Sequence, residues 1–478
     1  MVTTAKTKGM LIGGKWVEKE DTINVYDPQD NSFITTVSKA TEGDVRYAIE
    51  TAEEGAKIAA SMPVHERMSV INKAADHVDK NRNKFADTIA SEGSKTITEA
   101  QAEVTRCIET LRISAEEARR INGETLAFDQ IPGHEDRVGY YYKFPIGIIA
   151  AITPFNDPLN LVAHKVGPAI ASGNAIIVKP ATLTPLSAIL LAEAFLAAGL
   201  PKKVLSVITG SGGEIGDTLI SHPSVRMVSF TGGLETGEKI AKKAGLKKIH
   251  MELGSNSPVI VLNDADVNET VNSCVSGAFG AVGQNCLGVQ RIFIEESIFD
   301  MFTQKFVHQT NCYKVGNKKD ELTDMGPLIT EKEAIRVEEL VNGAIREGAD
   351  LLTGGKREGA FYSPTVLTNV SSDAKIAKEE IFGPVVLLFS IKSIDEAIEK
   401  ANNVNYGLQA GIFTKDVNLA FQAINQLNVG GIMINDSSDY RIDAMPFGGV
   451  KGSGIGREGI KYTIEEMTEP KVVNFKLG

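Results

Sequence analysis

The sequence has few cysteines and few histidines for its length. Four cysteines, Cys107, Cys274, Cys286 and Cys312, are spread over 478 residues, which is too few for the disulfide framework of a secreted protein. The seven histidines form no H-x-x-x-H pair and no cluster with cysteines, so we expect no metal site. This composition fits a reducing compartment, and we expect a cytoplasmic protein.

Long apolar runs and an excess of basic residues are also missing. The sequence has no run of about 18 apolar residues and no signal-like apolar segment near residue 1, so we expect no membrane partner. The formal net charge is −11, and no segment supplies the basic face that nucleic-acid binding requires. The length predicts two or three domains with sizeable cores.

Periodicity predicts an α/β fold. Residues 42–119 carry apolar side chains at three- and four-residue spacing, which indicates long amphipathic helices. Short apolar segments alternate with helical ones over 147–254 and again from 257, which predicts two doubly wound α/β units with mainly parallel sheets. The stretch 119–145 contains two β-like segments around a Pro-Gly turn, and residues 469–478 predict a late strand with no partner beside it in sequence.

One cysteine stands in an unusual setting for a free thiol. Cys286 lies in GAVGQNCLGVQR, residues 280–291, where glycines at 280, 283 and 288 allow tight turns. A cysteine at a turn that leads into a helix can have its thiolate stabilised by backbone N–H groups and the helix dipole. It would then be a nucleophile. The alternative from the residues alone is a small buried side chain, the common role of a free cysteine.

Seven separated motifs resemble those of the aldehyde dehydrogenase superfamily, in the family's order and over essentially the whole chain. They are PFND at 154–157, IIVKP at 176–180, FTGG at 230–233, MELGSNSP at 251–258, GQNC at 283–286, EEIFGP at 379–384 and PFGGVKGSGIGREG at 446–459. One such motif can arise by chance, but seven in order do not. The resemblance implies oxidation of an aldehyde to a carboxylate with NAD or NADP.

By this resemblance, three residues match the catalytic group of the family. Cys286 matches the thiol that adds to the aldehyde, which puts negative charge on oxygen and requires fixed donors. Asn156 matches the oxyanion asparagine, with the Cys286 backbone N–H as a second donor. Glu252 matches the base that activates water against the thioester, a role that suits a carboxylate whose pKa is raised by an apolar turn. Without the resemblance, Asn156 is read as a turn residue and Glu252 as a helix cap or ion-pair partner.

The resemblance also places a cofactor phosphate. Phe230, Thr231, Gly232 and Gly233 form FTGG, where a strand ends and a helix N-terminus can face phosphate. Gly212 lies in GSGGEIG at 210–216, whose spacing is one residue longer than the usual dinucleotide fingerprint. We therefore interpret that segment as a loop leading into a helix near the cofactor.

Four further residues match cofactor contacts of the family. Lys179 matches a lysine that holds the adenosine ribose, while Glu380 and Phe382 match residues at the nicotinamide ribose and ring. Thr182 stands where many NAD-preferring members have a glutamate that repels a 2′-phosphate. NADP is therefore permitted as well as NAD. A strand-end charge at Lys179 and a helix-end aromatic at Phe382 are the structural alternatives.

Two arginines match positions that bind anionic aldehydes in relatives. They are Arg106 in EVTRCIETLR and Arg441 in SSDYRIDAMPFGG, and each can equally be a structural ion pair. Asn285, where glyceraldehyde-3-phosphate relatives have arginine, and Asp157 both reduce the positive charge. The residues favour a small polar aldehyde, such as a hydroxyaldehyde like lactaldehyde or a short semialdehyde. A phosphorylated, phosphonated or sulfonated aldehyde bound by both arginines is the alternative.

The resemblance implies a domain division and an assembly. Residues 1–119 and 146–253 form a Rossmann-like cofactor domain, 254–458 form the catalytic domain, and 120–145 with 459–478 form oligomerisation strands. An unpaired late strand is a liability unless a partner covers it, so we expect a homodimer or homotetramer.

Two other functions compete with this hypothesis. A thiol hydrolase would use Cys286, Asn156 and Glu252 on esters without a cofactor, but the nucleotide motifs then have no purpose. A catalytically silent binding or structural relative would be expected to lose the thiol or the base, and this sequence keeps both.

Overall fold

The computed structural model describes residues 7–478, and helices and strands alternate along most of this range. The strands are β1 (Met10–Ile12), β2 (Lys15–Val17), β3 (Thr22–Tyr26), β4 (Phe33–Ser38), β5 (Glu124–Leu126), β6 (Arg137–Pro145), β7 (Ile148–Ile152), β8 (Ala175–Lys179), β9 (Leu205–Val207), β10 (Val225–Thr231), β11 (Lys248–Glu252), β12 (Pro258–Val261), β13 (Arg291–Glu295), β14 (Asp350–Thr353), β15 (Arg357–Glu358), β16 (Phe361–Tyr362), β17 (Thr365–Thr368), β18 (Val385–Ile391), β19 (Gln409–Phe413), β20 (Gly431–Ile434), β21 (Gly454–Ile455) and β22 (Thr468–Lys476). The helices are α1 (Glu42–Ser61), α2 (Val64–Lys80), α3 (Arg82–Glu92), α4 (Ile97–Ala118), α5 (Asn160–Ala171), α6 (Leu186–Ala197), α7 (Gly212–Ser221), α8 (Leu234–Ala244), α9 (Val267–Phe279), α10 (Phe299–Asn311), α11 (Glu331–Arg346), α12 (Lys375–Lys378), α13 (Ile394–Asn402), α14 (Val417–Gln426) and α15 (Ile460–Glu466). Residues 1–6 of the predicted cofactor segment lie outside the described range.

The first sheet has eight strands in the order β2-β1-β9-β8-β7-β10-β11-β21. Its five central strands, from β9 to β11, are parallel. Chain order moves outward from β7 in both directions, so the switch point of this doubly wound sheet lies between β7 and β10. Ligands of such sheets bind beyond the carboxyl ends of the strands at this point.

Helices cover both faces of this sheet. Ile149 and Ala151 of β7 pack with the core beneath α2, α4, α5 and α6, whereas Ile148 and Ala150 pack with α1, α7 and α8. Successive side chains of a strand point to opposite faces, so a strand buried on both sides needs the continuous apolar run that β7 has. This is why the segment is readable in sequence as a central parallel strand.

The second sheet has seven strands in the order β14-β17-β18-β13-β12-β19-β20. The six strands β17, β18, β13, β12, β19 and β20 are parallel, and β14 is an antiparallel edge strand. The predicted fold class, α/β with two doubly wound-type sheets, is confirmed.

The third sheet, β22-β6-β5, is antiparallel. The late strand, which has no partner beside it in sequence, pairs within the chain with the distant β6 over nine residues, from Thr468↔Pro145 to Lys476↔Arg137. Pairing between segments so far apart in sequence has no local signal. The outer edge of β22 has no strand beside it among residues 7–478.

Two segments differ from the predicted division of the chain. Residues 460–466, grouped with the oligomerisation strands, form helix α15, which buries Ile460 and Ile464 in the core beneath α4 and α5. Strand β21, grouped with the catalytic segment 254–458, instead extends the first sheet by pairing with β11. Within residues 7–478, no helix is both long enough and apolar enough to cross a membrane.

Candidate active site

Two cavities meet at the carboxyl edge of the first sheet. The first cavity has a volume of about 460 Å³ and the second about 320 Å³. Of the residues predicted from sequence, those that line the first cavity are Asn156, Phe230, Thr231, Gly232, Gly233, Glu252, Cys286, Glu380, Phe382 and Arg441. Those that line the second are Arg106, Asn156, Asn285, Cys286 and Arg441. Cys286, Asn156 and Arg441 therefore stand at the junction.

The loop that carries Cys286 has a strained backbone. Ala281, Val282 and Gly283 all have positive φ, of 50°, 63° and 65°. Left-handed backbone costs a non-glycine residue about 1–2 kcal/mol, and a β-branched residue such as Val282 adopts it rarely. Such strain persists only where the surroundings impose it, and it clusters at functional sites.

The predicted helix after Cys286 is not present. The chain runs from α9 through a 3₁₀ turn, Gly280–Gly283, to Cys286 and then into strand β13. No helix N-terminus therefore stabilises the thiolate, and this part of the prediction is wrong. Burial raises the pKa of the Cys286 thiol far above its usual value; the Arg441 charge opposes this rise, while the Glu252 and Glu380 carboxylates add to it. The thiol consequently needs a base.

Asn156 lies in the loop between β7 and α5, at the switch point of the first sheet. Asn156 lines both cavities. An amide donor that lines the same cavities as Cys286 can serve a negatively charged oxygen formed there.

Glu252 ends β11 and is almost completely buried. Neither carboxylate oxygen has a hydrogen-bond partner within the described residues. Burial raises the pKa of Glu252, and the negative charge of Glu458 raises it further, while His250 opposes the rise. An unpartnered carboxylate with a raised pKa beside a thiol has the properties of a proton acceptor near neutral pH.

The far end of the first cavity combines a strand end with a helix start. Thr231 ends β10 with a buried hydroxyl that has no hydrogen-bond partner in the described chain. Gly233 is the N-cap of α8, and the backbone N–H of Gly232 donates to the Glu252 carbonyl at 3.0 Å. A Cβ on Gly232 would come within 2.6 Å of the Phe230 ring. These features fit a phosphate-bearing dinucleotide at the helix N-terminus.

Lys179, Thr182 and Gly212 form a neighbouring group outside the lining of the two cavities. The Thr182 hydroxyl donates to the Gly210 carbonyl at 3.2 Å, and a Cβ on Gly212 would lie 3.7 Å from Lys179 Cε. Gly212 begins α7, as the loop-into-helix interpretation predicted. Burial lowers the pKa of Lys179 to about 8. Ala181, next to Thr182, lines the first cavity, so these residues lie at its rim.

Glu380 and Phe382 lie on the wall of the first cavity opposite β10. The Ser255 backbone N–H donates to Glu380 at 2.8 Å, and burial raises the pKa of Glu380 to about 7. A Cβ on Gly254 would come within 2.4 Å of the Glu380 carboxylate. Phe382 has a φ of 47° and packs edge-on against Phe155, with ring centroids 5.8 Å apart. A ribose hydroxyl and a flat ring fit these two side chains.

Arg106 is held between two carboxylates. Its guanidinium contacts Asp443 at 2.8 Å and Asp157 at 3.3 Å, and Asp443 also bonds to His164 Nε2 at 2.8 Å. Burial alone would raise the pKa of Asp157, but the charges of Lys95 and Arg106 lower this pKa to about 2. About a third of the Arg106 side chain remains exposed toward the second cavity, so the ion pairs leave part of the fork available.

Arg441 and Asn285 also have partners in the protein. Arg441 donates to Glu458 at 3.1 Å and lies over the Phe447 ring at 3.7 Å. The Asn285 amide donates to Asp439, whose pKa burial raises to about 7. Every predicted substrate residue therefore lines a cavity and is also tied into an ion pair or hydrogen bond.

Sequence reasoning missed the acidic residues of α4. Glu103 is buried and accepts the backbone N–H groups of Leu159 and Asn160 at 2.8 and 2.9 Å, as well as Lys95 Nζ at 2.8 Å. Glu99 accepts the backbone N–H of Ala281 at 2.6 Å. The available signal was an acid inside the apolar stripe of the helix, because Glu103 alternates there with buried alanine, valine and isoleucine.

The other cysteines lie away from this site. Cys107 and Cys274 are buried, and Cys312 is exposed at the end of α10. Among residues 7–478 no group of three or more His, Cys, Asp or Glu side chains is placed to hold a metal ion. The expectation of a metal-free enzyme stays a prediction.

A doubly wound sheet with a thiol and a carboxylate lining a cavity at its switch point fits an oxidoreductase that binds a dinucleotide. The chain belongs to the aldehyde dehydrogenase family, whose model matches residues 16–473. It is an NAD(P)-dependent enzyme that oxidises small aldehydes.

Individual relatives are similar over nearly the full chain. The sequence is 49% identical over 454 residues to aspartate-semialdehyde dehydrogenase 1 of Pseudomonas canavaninivorans, covering 95% of this chain and 96% of that one. It is 46% identical over 479 residues to 3-sulfolactaldehyde dehydrogenase of Priestia megaterium, covering 100% and 99%. A solved structure of NADP-dependent glyceraldehyde-3-phosphate dehydrogenase from Bacillus halodurans, complexed with NADP, superposes with a TM-score of 0.97 at 38% identity, covering 99% and 100%.

Proposed function

We propose that the enzyme oxidises a short polar aldehyde to its carboxylate through a covalent intermediate on Cys286. The observation that supports this most directly is that Cys286 lines both cavities together with Asn156, and lines the first cavity together with Glu252 as well. The aldehyde would enter by the second cavity, and the dinucleotide would occupy the first.

The chain's own groups account for the first half of the reaction. Glu252 takes the proton of the Cys286 thiol, whose raised pKa makes a base necessary. The sulfur then bonds to the aldehyde carbon, and the carbonyl electron pair moves to oxygen. The Asn156 amide and the Cys286 backbone N–H donate to this negative oxygen. When bound, the cofactor supplies the acceptor for the hydride that leaves the same carbon. The residues that would hold the cofactor are Thr231, Gly233, Glu380, Lys179, Thr182 and Gly212.

Glu252 also accounts for the second half. Once Glu252 has released the thiol proton to solvent, its carboxylate takes a proton from water, the hydroxide adds to the thioester carbon, and the thiolate leaves with its electron pair. Neither oxygen of Glu252 accepts a hydrogen bond within the described residues, so each can accept one from water. Thioester hydrolysis is therefore favoured over transfer to another thiol.

The substrate that the second cavity favours carries a hydroxyl or one carboxylate. Its cations are already paired, since Asp157 and Asp443 contact Arg106 and Glu458 contacts Arg441. A dianionic group would have to compete with these carboxylates, and Asn285 adds no charge. A hydroxyaldehyde such as lactaldehyde can bind through neutral hydrogen-bond donors. A short semialdehyde needs in addition the part of the Arg106 guanidinium that is not used by Asp157 and Asp443.

A strongly anionic aldehyde is a second candidate. It is supported by the exposure of Arg106 into the second cavity and by a relative named for 3-sulfolactaldehyde, whereas the relative named for aspartate semialdehyde supports the first candidate. A panel of short aldehydes, neutral, carboxylated, sulfonated and phosphorylated, assayed with NAD and with NADP, separates the two. The best kcat/KM on a neutral or carboxylated aldehyde is expected, and a preference of tenfold or more for sulfonated or phosphorylated aldehydes would replace it with the second candidate.

The chemical roles have their own test. Cys286→Ala is expected to lose aldehyde oxidation while binding NADP normally. Glu252→Gln is expected to accumulate acyl-enzyme, detectable by mass spectrometry. Aldehyde oxidation by Cys286→Ala at the parent rate would disprove the nucleophile. Ester hydrolysis without any aldehyde-dependent reduction of NAD(P) would instead support the thiol hydrolase.

We also propose an assembly, a location and a domain division. The open edge of β22 and the exposed Val472 and Phe475 on this strand favour a homodimer or homotetramer, which light scattering tests.

Four free thiols favour a reducing cytoplasm. The cofactor domain would comprise residues up to 119, 146–253 and β21, and the catalytic domain 254–453.

A further inference from the structure

Two acids on one face of α4 contact the two loops that carry the proposed oxyanion donors. Glu99 and Glu103 are four residues apart, so they lie on adjacent turns of the same helical face. Glu99 reaches the loop of Cys286 and Glu103 reaches the loop of Asn156. Neither acid touches the reacting atoms in the mechanism above.

Glu99 divides its two carboxylate oxygens between two tasks. Oε2 accepts the backbone N–H of Thr96 at 2.8 Å and the Thr96 hydroxyl at 3.2 Å, which caps the start of α4. Oε1 accepts the backbone N–H of Ala281 at 2.6 Å. Ala281 opens the left-handed run 281–283, which comes shortly before Cys286. The acid therefore fixes one end of a strained segment to a rigid helix from the other half of the chain.

The same segment is held at its other end. Gln284 accepts the Ile329 backbone N–H at 3.0 Å, and a Cβ on Gly283 would come within 2.3 Å of the Gly383 carbonyl. Left-handed backbone at Val282 relaxes unless both ends are held. Loss of the Glu99 contact would let the loop, and with it the Cys286 backbone N–H, move.

Glu103 holds the loop of Asn156 from two sides. One oxygen accepts the backbone N–H groups of Leu159 and Asn160, where α5 begins. The other accepts Lys95 Nζ, which also contacts Asp157, the residue after Asn156. The helix α4 itself packs against α2 and α5, so its position is fixed by the core.

We propose that α4 sets the spacing of the oxyanion site, with Glu99 positioning the Cys286 N–H and Glu103 positioning the Asn156 amide. This inference rests on the proposed function. A donor misplaced by about 1 Å can cost up to a hundredfold in rate, and a donor removed costs 10²–10³-fold. The two acids act through the donors and are positioning residues.

Shortening each acid by one methylene tests the proposal. Glu99→Asp and Glu103→Asp keep the charge but withdraw the carboxylate, and Glu109→Asp is the matched control on the exposed face of α4. The readout is the burst of p-nitrophenolate from p-nitrophenyl acetate, which reports acylation of Cys286 without any cofactor. We expect about tenfold slower bursts for Glu99→Asp and Glu103→Asp and less than a twofold change for Glu109→Asp. Parent burst rates for both shortened acids would overturn the proposal.

A double-mutant cycle separates positioning from a general loss of stability. Asn156→Ala removes the donor that Glu103 positions, so Glu103→Asp is expected to cost less than twofold in that background, while Glu99→Asp keeps its tenfold effect. An unchanged tenfold cost of Glu103→Asp in Asn156→Ala would overturn the proposal. If Glu103→Asp does not fold, Glu99→Asp alone decides by its burst rate, with thermal unfolding to show that it is folded. A parent burst in Asn156→Ala or Cys286→Ala would instead sink the proposed function.

Discussion

Glu252 Oε1 lies 3.4 Å from His250 Nε2, and the two residues are two positions apart on the same face of β11. His250 opposes the rise of the Glu252 pKa that burial and Glu458 cause, and the Arg441 charge opposes it as well. A strand thus presents the proposed base together with the side chain that adjusts its proton affinity.

Replacing His250 is expected to shift the pH dependence of deacylation. Glu252 must be ionised to take a proton from water, so the rate rises with pH through the Glu252 pKa. His250→Gln removes a group that lowers this pKa, and the acid limb therefore moves to higher pH. Single-turnover thioester hydrolysis from pH 5 to 9 measures the limb, with His65→Gln at an exposed position of α2 as control. An acid limb that does not move would exclude electrostatic coupling between the two residues.

Arg441 is expected to promote the reactivity of the thiol. Its charge is the one that lowers the Cys286 pKa, so Arg441→Met should slow alkylation by iodoacetamide at pH 8 by about tenfold. Glu252→Gln removes the proposed base for the thiol and should also slow alkylation at the same pH. Equal alkylation rates in all three proteins would show that burial alone governs the thiol.

Thr182 is expected to permit the 2′-phosphate of NADP. Thr182→Glu places a carboxylate at the rim of the first cavity and should raise the Kd for NADP by tenfold or more through like-charge repulsion, with little change for NAD. Thr182→Ser keeps the hydroxyl that donates to Gly210 and serves as control. Calorimetric titration measures both constants, and a parallel loss for both cofactors would indicate a folding defect at the loop.

Lys179 is expected to make NADP binding sensitive to mild alkali. Burial lowers its pKa to about 8, so the lysine is charged below this pH and loses its charge above it. A bound phosphate favours the charged form, and NADP affinity should therefore fall as the pH rises from 7 to 9.5. The affinity of Lys179→Met for NADP is expected to lack this dependence. A pH-independent Kd in the parent would contradict a contact between Lys179 and the phosphate.

Arg106 is expected to recognise a carboxylate on the substrate. Arg106→Lys keeps a positive charge between Asp157 and Asp443 but loses the planar fork. We expect its KM for a short semialdehyde acid to rise about tenfold, whereas the KM for propionaldehyde stays within twofold. Equal KM changes for both aldehydes would return Arg106 to a purely structural ion pair.

The sequence predicted the elements that have a local period or a contiguous motif. The continuous apolar run of β7 predicts that this strand is buried on both faces. The contiguous motif from Phe230 to Gly233 predicts that these residues lie where a strand ends and a helix begins. Long-range relations had no such signal. The pairing of β22 with β6, the extension of the first sheet by β21 and the contact of Glu99 with Ala281 all join residues far apart in the chain.

The thiol environment was also beyond local reasoning. Glycines near Cys286 correctly indicated turns, yet they suggested a helix where β13 follows. The left-handed conformation of Ala281 and Val282 contradicts their intrinsic preferences and is imposed by partners elsewhere in the fold. The ion pairs of the site also could not be predicted locally, because the carboxylates that contact Arg106 and Arg441 come from separate segments of the chain.

The distribution of the cysteines gives a way to count functional molecules. Cys107 and Cys274 are shielded, which leaves Cys312 and Cys286 as the thiols within reach of a small electrophile. In a Cys312→Ser enzyme, Cys286 would be the thiol that a small electrophile labels, at one equivalent per chain. The number of labels per chain would then report the fraction of molecules with an intact Cys286 site.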